Sequence, residues 1–381
     1  MLLGKWSRTQ LPIGIDLGSR MIRLCQLDHR GTGLAVTAAA ACALPPEITP
    51  AHADYHKIVT DNILKLVGGG GFVGQNVVTC LPAEMIHYKN LRLPKMPPDE
   101  LASAVSWEAS ERLSHKKQQV ITQFYDAGEV RQGEDLREEV ILMAASSPYI
   151  EAHVDALSQC GFRVNALDAI PGALARVLLH DQQDNLAEKS VTRVAVDIGW
   201  SSSKVLILHG RRIVFFKVLD IGGRRLDHAV AEHLGVSESE AREVRRRHEH
   251  QEPGEDAARA ASDDRVERTL HDAIRPLTGE LAREIGLCLR YYSVTFRGPR
   301  PDHATLFGGE AGYGPLVSMI SEGAGIKFIL GDPLKPFDCS AVQNVYRESP
   351  DRSSWAVAAG LALREVEREG KRLRAGGGVA A

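Results

Sequence analysis

"IGIDLGSRMIRLCQL" (residues 13–27) is two apolar runs separated by Asp16, Gly18, Ser19 and Arg20. It aligns without gaps on "VAVDIGWSSSKVLIL" (194–208), which sets Asp16 on Asp197, Gly18 on Gly199, Ser19 on Trp200 and Arg20 on Ser201. The pattern predicts the same device twice: a strand carries Asp-x-Gly and small polar residues into a tight hairpin turn and returns as a second strand. One such turn is an ordinary hairpin. Two copies, each opening one half of the chain, indicate a duplication built around a ligand.

The residue types say which ligand. Glycine lets the backbone approach closely and present N–H groups, and Ser19, Ser201 and Ser202 add hydroxyl donors, so each turn suits phosphate oxygens. An anion alone would not be met by Asp16 and Asp197. Both carboxylates make sense with a hydrated Mg²⁺ between them and the phosphates, because Mg²⁺ keeps several waters and is held by one or two carboxylates. A third element, "HATLFGGEAGYGPLV" (303–317), is a short apolar strand followed by Gly308-Gly309 and a helix start. Bare backbone there would let a flat base lie close.

Composition narrows the partners. The chain has 381 residues, enough for two domains with their own cores, and its formal net charge of −3 gives no global attraction to nucleic acid or anionic lipid. The six cysteines, Cys25, Cys42, Cys80, Cys160, Cys288 and Cys339, are far apart, so they read as core residues of a reducing compartment, with no zinc site or disulfide framework. No stretch has the run of about 18 apolar residues that a membrane span needs. A cytoplasmic protein is expected, with no direct membrane insertion. The charge-rich stretch 242–268 starts basic, but acidic residues follow and no aromatics interleave. It reads as two solvated helices broken at Pro253-Gly254, with no nucleic-acid partner.

Along the chain, residues 33–45 read as a third strand, 54–67 as a helix, "GGGGFVGQ" (68–75) as a flexible loop and "NVVTCLP" (76–82) as a buried strand. A Pro-rich turn then leads to an amphipathic helix with Leu101, Val105, Trp107 and Leu113 as core positions. Two strands joined by the acidic loop 131–136 follow, then a helix ended by Gly161. Residues 92–162 thus read as an inserted α/β module. The expected division is 1–180 for the first domain, a polar linker near 181–190, 190–370 for the second domain and 371–381 for a disordered tail.

The order of these elements resembles the actin-like ATPase superfamily, which includes actin, the sugar kinases and FtsA. Within it the chain is similar to the PilM family of type IV pilus assembly proteins. The likeness lies in "IGIDLGS", "LRLPKMPPDELASAVSWEASERL", "GFRVNALDAIPGALAR", "LFGGEAGYGPL" and "AVAAGLALRE", and covers nearly the whole chain. It implies an α/β, actin-like (ribonuclease H-like) fold of duplicated domains closing on Mg-ATP. By position, Asp16, Gly18, Ser19 and Arg20 correspond to the first phosphate loop. Asp197, Gly199, Ser201 and Ser202 correspond to the second, and Gly308, Gly309 and Ala311 to the adenosine turn. Arg245 falls where relatives carry a basic residue near the ribose and base.

The sequence departs from the family pattern at Arg20, Trp200 and Glu310. Ile170 stands where many relatives place a carboxylate or amide that orients the attacking water, which implies slow or absent hydrolysis. The function implied is that of an adaptor, peripheral to the inner membrane through its partners. It would take the cytoplasmic N-terminal tail of a PilN-like protein in a groove between the inserted module and the first domain, alongside other pilus assembly components. Met85, Ile86, Tyr88, Leu91 and Leu93 are apolar enough to line such a groove. Alternatives are a small-molecule kinase, a filament-forming actin-like protein and a type II secretion scaffold.

Overall fold

The structure, a computed structural model, describes residues 10–31, 33–112, 119–181, 191–249, 257–342 and 352–368. Leu113, nearly all of the expected linker, the Pro253-Gly254 break and the expected tail 371–381 lie outside the described residues. The first half runs β1 (Ile13–Leu17), β2 (Met21–Arg30), β3 (Gly33–Ala43), α1 (Tyr55–Gly69), β4 (Asn76–Cys80), β5 (His87–Pro94), α2 (Pro98–Arg112), β6 (Val120–Gln132), β7 (Asp135–Ser146), α3 (Ser147–Gln159), β8 (Arg163–Asp168) and α4 (Ile170–Asp181). The second runs β9 (Thr192–Ile198), β10 (Ser203–His209), β11 (Arg212–Leu219), α5 (Gly223–Leu234), α6 (Glu238–Glu249), α7 (Ala257–Phe296), β12 (His303–Phe307), α8 (Gly314–Ala324), β13 (Lys327–Leu330) and α9 (Ala356–Ala362).

The duplication read from the two hairpins extends to whole sheets. One has the order β3-β2-β1-β4-β8 and the other β11-β10-β9-β12-β13. In each, the opening hairpin is antiparallel and the later strands add in parallel. The register is the same in both: Asp16 sits opposite Arg23, and Asp197 opposite Lys204. β1 and β9 are buried along nearly their whole length, as strands covered on both faces must be.

The halves are joined through two crossing helices. α4 follows the first sheet and packs on the second, whereas α9 follows the second and packs on β1 and β2. α9 reads Ala-Val-Ala-Ala-Gly-Leu-Ala because the approach is close. A Cβ at Gly14 would lie 2.3 Å from the Ala358 carbonyl, and one at Gly360 would lie 2.1 Å from that of Ala173. One apolar cluster therefore spans both halves, from Cys25 and Val78 through Leu174 to Leu206 and Phe216.

The third sheet, β5-β7-β6, lies between β4 and α3 in the chain, and α2 packs across it. α3 packs on α1, with Leu157 in the core of the first sheet beside Ile13 and Tyr55. The strand β5 starts at His87, ahead of the expected module boundary at residue 92. Leu101, Val105 and Ala109 form the buried stripe of α2 against Val140 and Leu142. Trp107 is not a core residue: it is 53% exposed, because it lies about 200° around the helix from Val105. The glycine-rich loop after α1 is tied down as well. The Gln26 side-chain amide donates to the Val73 carbonyl at 2.7 Å and accepts from the Val73 N–H at 2.9 Å. Cys25, Cys80 and Cys288 are buried, and all six thiols are free.

Candidate functional site

A cleft separates the two sheets at the ends of β1 and β9. Asp16, Gly18, Ser19 and Arg20 line it from the first half, and Asp197, Gly199 and Ser201 from the second. Gly308 and Gly309 line it as well. The two hairpins thus face each other across the cleft. Ser202, Arg245 and Ala311 are buried and do not line it.

The two glycines of the Gly-Gly turn differ. Gly308 has φ +102°, and a Cβ there would lie 2.2 Å from the Ile198 carbonyl, so the turn can only pass β9 with glycine at this position. A Cβ at Gly309 would meet nothing within 4 Å. Its backbone faces open space, as a platform for a planar group would. At the second turn, the carbonyls of Gly199 and Trp200 accept hydrogen bonds from the N–H groups of Gly223 and Arg224, at 3.0 and 2.7 Å. The first N–H groups of α5 are thereby satisfied by the loop itself.

Arg245 is a structural residue here. Its guanidinium reaches Asp227 and Glu310, both at 2.8 Å, with all three side chains at most 8% exposed. Burial alone would lower the Arg245 pKa, but Glu310 and Asp227 outweigh it and raise the pKa above its ordinary value. Glu310 can reach Arg245 because it crosses a bare backbone at Gly223, where a Cβ would lie 2.1 Å from its carboxylate. Trp200 donates its indole N–H to Asp227 at 3.3 Å. Two departures from the family pattern, Trp200 and Glu310, thus belong to one buried network joining α5, α6 and the Gly-Gly turn. The guanidiniums that do line the cleft are those of Arg20, Arg23, Arg242 and Arg246. Burial and the charge of Arg246 lower the pKa of Arg20.

Glu84 and Lys204 are among the lining residues that were missed in the sequence. Glu84, on the turn after β4, accepts a hydrogen bond from the Ser201 hydroxyl and so links the two halves across the cleft. Lys204 Nζ lies 3.2 Å from Asp197 Oδ2, with both side chains about nine-tenths buried. Burial opposes its charge, but Asp197, Glu84 and Asp16 outweigh burial and raise the Lys204 pKa. The alignment of the two hairpins held the signal for this lysine, since it sets Lys204 on Arg23.

The Asp16 carboxyl is pushed up to about 6, first by burial and then by Asp197, against the opposing pull of Arg23 and Lys204. A carboxyl raised in the fold binds its proton more tightly there than in the unfolded chain. Its charged form therefore costs stability as pH rises from about 4 to about 6, and the cost persists above that. Asp16→Asn is expected to stabilise the protein at pH 7.5 by about 1–2 kcal/mol, less than the full shift implies because the cleft is open to water. Thermal unfolding between pH 4.5 and 7.5 checks this: the gain of the variant over the parent should grow with pH and level off above about pH 6.5. A gain that shrinks with pH contradicts it.

Two sheets of one order, repeated in tandem and closing on a shared cleft, make this a protein of the actin-like fold. The model of the family described as type IV pilus assembly protein PilM matches residues 14–366, and the chain belongs to that family. Among solved structures, the PilM-PilN type IV pilus biogenesis complex is 23% identical, with a TM-score of 0.74 over 94% of this chain and 98% of that one. The ethanolamine utilization protein EutJ from Carboxydothermus hydrogenoformans is 15% identical, with a TM-score of 0.52 over 92% and 89%. Among the described residues, no helix is long and apolar enough to cross a membrane.

Proposed function

We propose that this protein is a nucleotide-binding adaptor of type IV pilus assembly. It holds ATP between its halves and takes the N-terminal tail of a PilN-like inner-membrane protein on its cytoplasmic side. The observation that carries the nucleotide reading is the convergence of both Asp-x-Gly turns and the Gly308-Gly309 turn on one cleft. Phosphate oxygens would meet the backbones of Gly18 and Gly199, the hydroxyls of Ser19 and Ser201 and the guanidinium of Arg20, while the base would lie against Gly309. Arg242 and Arg246, rather than Arg245, would face the ribose side. A hydrated Mg²⁺ brought in by the nucleotide would be held through water by Asp16; Asp197 is already matched by Lys204.

Turnover would be slow or absent. Ile170 lines the cleft where a carboxylate or amide would orient water, and Glu84 is tied to Ser201.

The partner reading rests on family membership, on the solved complex of a family member with PilN and on a second groove between the three-stranded sheet and the first domain. Ile86, Ile121, Phe124, Met143, Ile150 and Leu167 line it, with Asp168 and Arg364 at its polar side. Of the five residues expected there, only Ile86 lines it; Leu91 sits in the core of the inserted sheet. Two titrations of the full chain test the proposal, one with ATP and one with a peptide of the partner's N-terminal tail. Saturable binding of each is expected, and a folded chain that binds neither overturns it.

A further inference from the structure

We propose that Lys204 is the built-in counter-cation of the second turn: its ammonium neutralises Asp197 and meets the phosphate chain, so ATP binding by this chain does not require a divalent cation. The inference rests on the nucleotide reading above and names the group that carries the positive charge. The duplication places that group. A hairpin in one register sets a basic side chain opposite each aspartate, Arg23 opposite Asp16 and Lys204 opposite Asp197.

The site around Lys204 is built for an ammonium. Nζ lies 3.2 Å from Asp197 Oδ2 and donates to the Ser202 carbonyl at 3.2 Å. A Cβ at Gly199 would lie 3.0 Å from Nζ, so the glycine of this Asp-x-Gly turn clears the space that the lysine head occupies. The negative charges of Asp197, Glu84 and Asp16 all act on it. Mg²⁺ would need oxygen ligands in an octahedron at about 2.0–2.1 Å, on a carboxylate whose outer side already faces a fixed positive charge. A lysine lining the cleft as a point charge can meet phosphate oxygens directly, which a divalent ion would otherwise do.

The test is calorimetric titration of the full chain with ATP, in EDTA and in excess Mg²⁺. The dissociation constants of the parent are expected to agree within about threefold, since the cation is supplied by the chain. Lys204→Gln should weaken binding in EDTA by about tenfold or more, with part of the loss restored by Mg²⁺. Because this variant leaves Asp197 buried and unpaired, the double variant Asp197→Asn/Lys204→Gln, which removes both charges, is run beside it after a melting check; it should show the same loss in EDTA. A parent that binds ATP only with Mg²⁺ overturns the inference and leaves the nucleotide reading intact, as does a folded variant matching the parent in EDTA. A folded parent that binds in neither buffer overturns both.

Discussion

Arg245→Met is expected to destabilise the protein by about 3–5 kcal/mol, the usual cost of removing one partner from a buried charge network. Arg245 is 3% exposed and is shared by Asp227 and Glu310, which are 4% and 8% exposed. Methionine fills most of its volume and packs beside Tyr313, over whose ring the guanidinium lies. What the substitution removes is the charge. Both carboxylates are then left facing each other in a dry site, where burial already raises the pKa of Asp227 despite the arginine. Urea unfolding of parent and variant measures the effect, and Arg245→Met/Glu310→Gln should recover part of the loss. If Arg245 instead served the ribose, Arg245→Met would remain within about 0.5 kcal/mol of the parent, as surface changes do, and would lose ATP affinity.

The second large effect concerns the partner groove. Ile121 lies on β6, which forms one edge of the three-stranded sheet, and is 46% exposed within the groove. An apolar tail residue docking there would cover its remaining exposed half, which is worth about 1 kcal/mol for a side chain of this size. Ile121→Asp removes that gain and places a charge under the tail. Tail affinity should fall by at least about thirtyfold, roughly 2 kcal/mol, while thermal stability stays near that of the parent because the position is exposed. Unchanged tail affinity in the folded variant would mean that the tail binds elsewhere. Leu91→Asp would not serve as a test, since Leu91 is buried against Val105 and Val140 and the variant would report on folding.

How much of this was legible in the sequence depends on the length of the signal. The two hairpins carry an ungapped fifteen-residue repeat, and the sheets that grow from them follow the same strand order. Nine of the twelve residues singled out for ligand contact line the cleft, because Asp-x-Gly between strands fixes its own geometry. Arg245, expected near the ribose and base by position, instead turns inward onto Asp227 and Glu310. α6 carries Arg242, Arg245, Arg246 and Arg247 in succession, and only the buried Asp227 and Glu310, 18 and 65 residues away, decide which of them turns inward. Glu84 left no local signal, as its place depends on a short turn after β4 and on a serine 117 residues later. Trp107 was misread for its size rather than its position on α2. Lys204 was readable in principle, because the alignment that paired Asp16 with Asp197 also pairs Arg23 with Lys204.

The most direct test of the account is equilibrium binding of ATP to the purified full chain. Calorimetric titration in Mg²⁺ should show one site per chain with a dissociation constant in the micromolar range, about −8 kcal/mol. A folded chain that gives no saturable heat with ATP would contradict the account, and would leave the duplicated turns as a scaffold whose function lies in the partner groove alone.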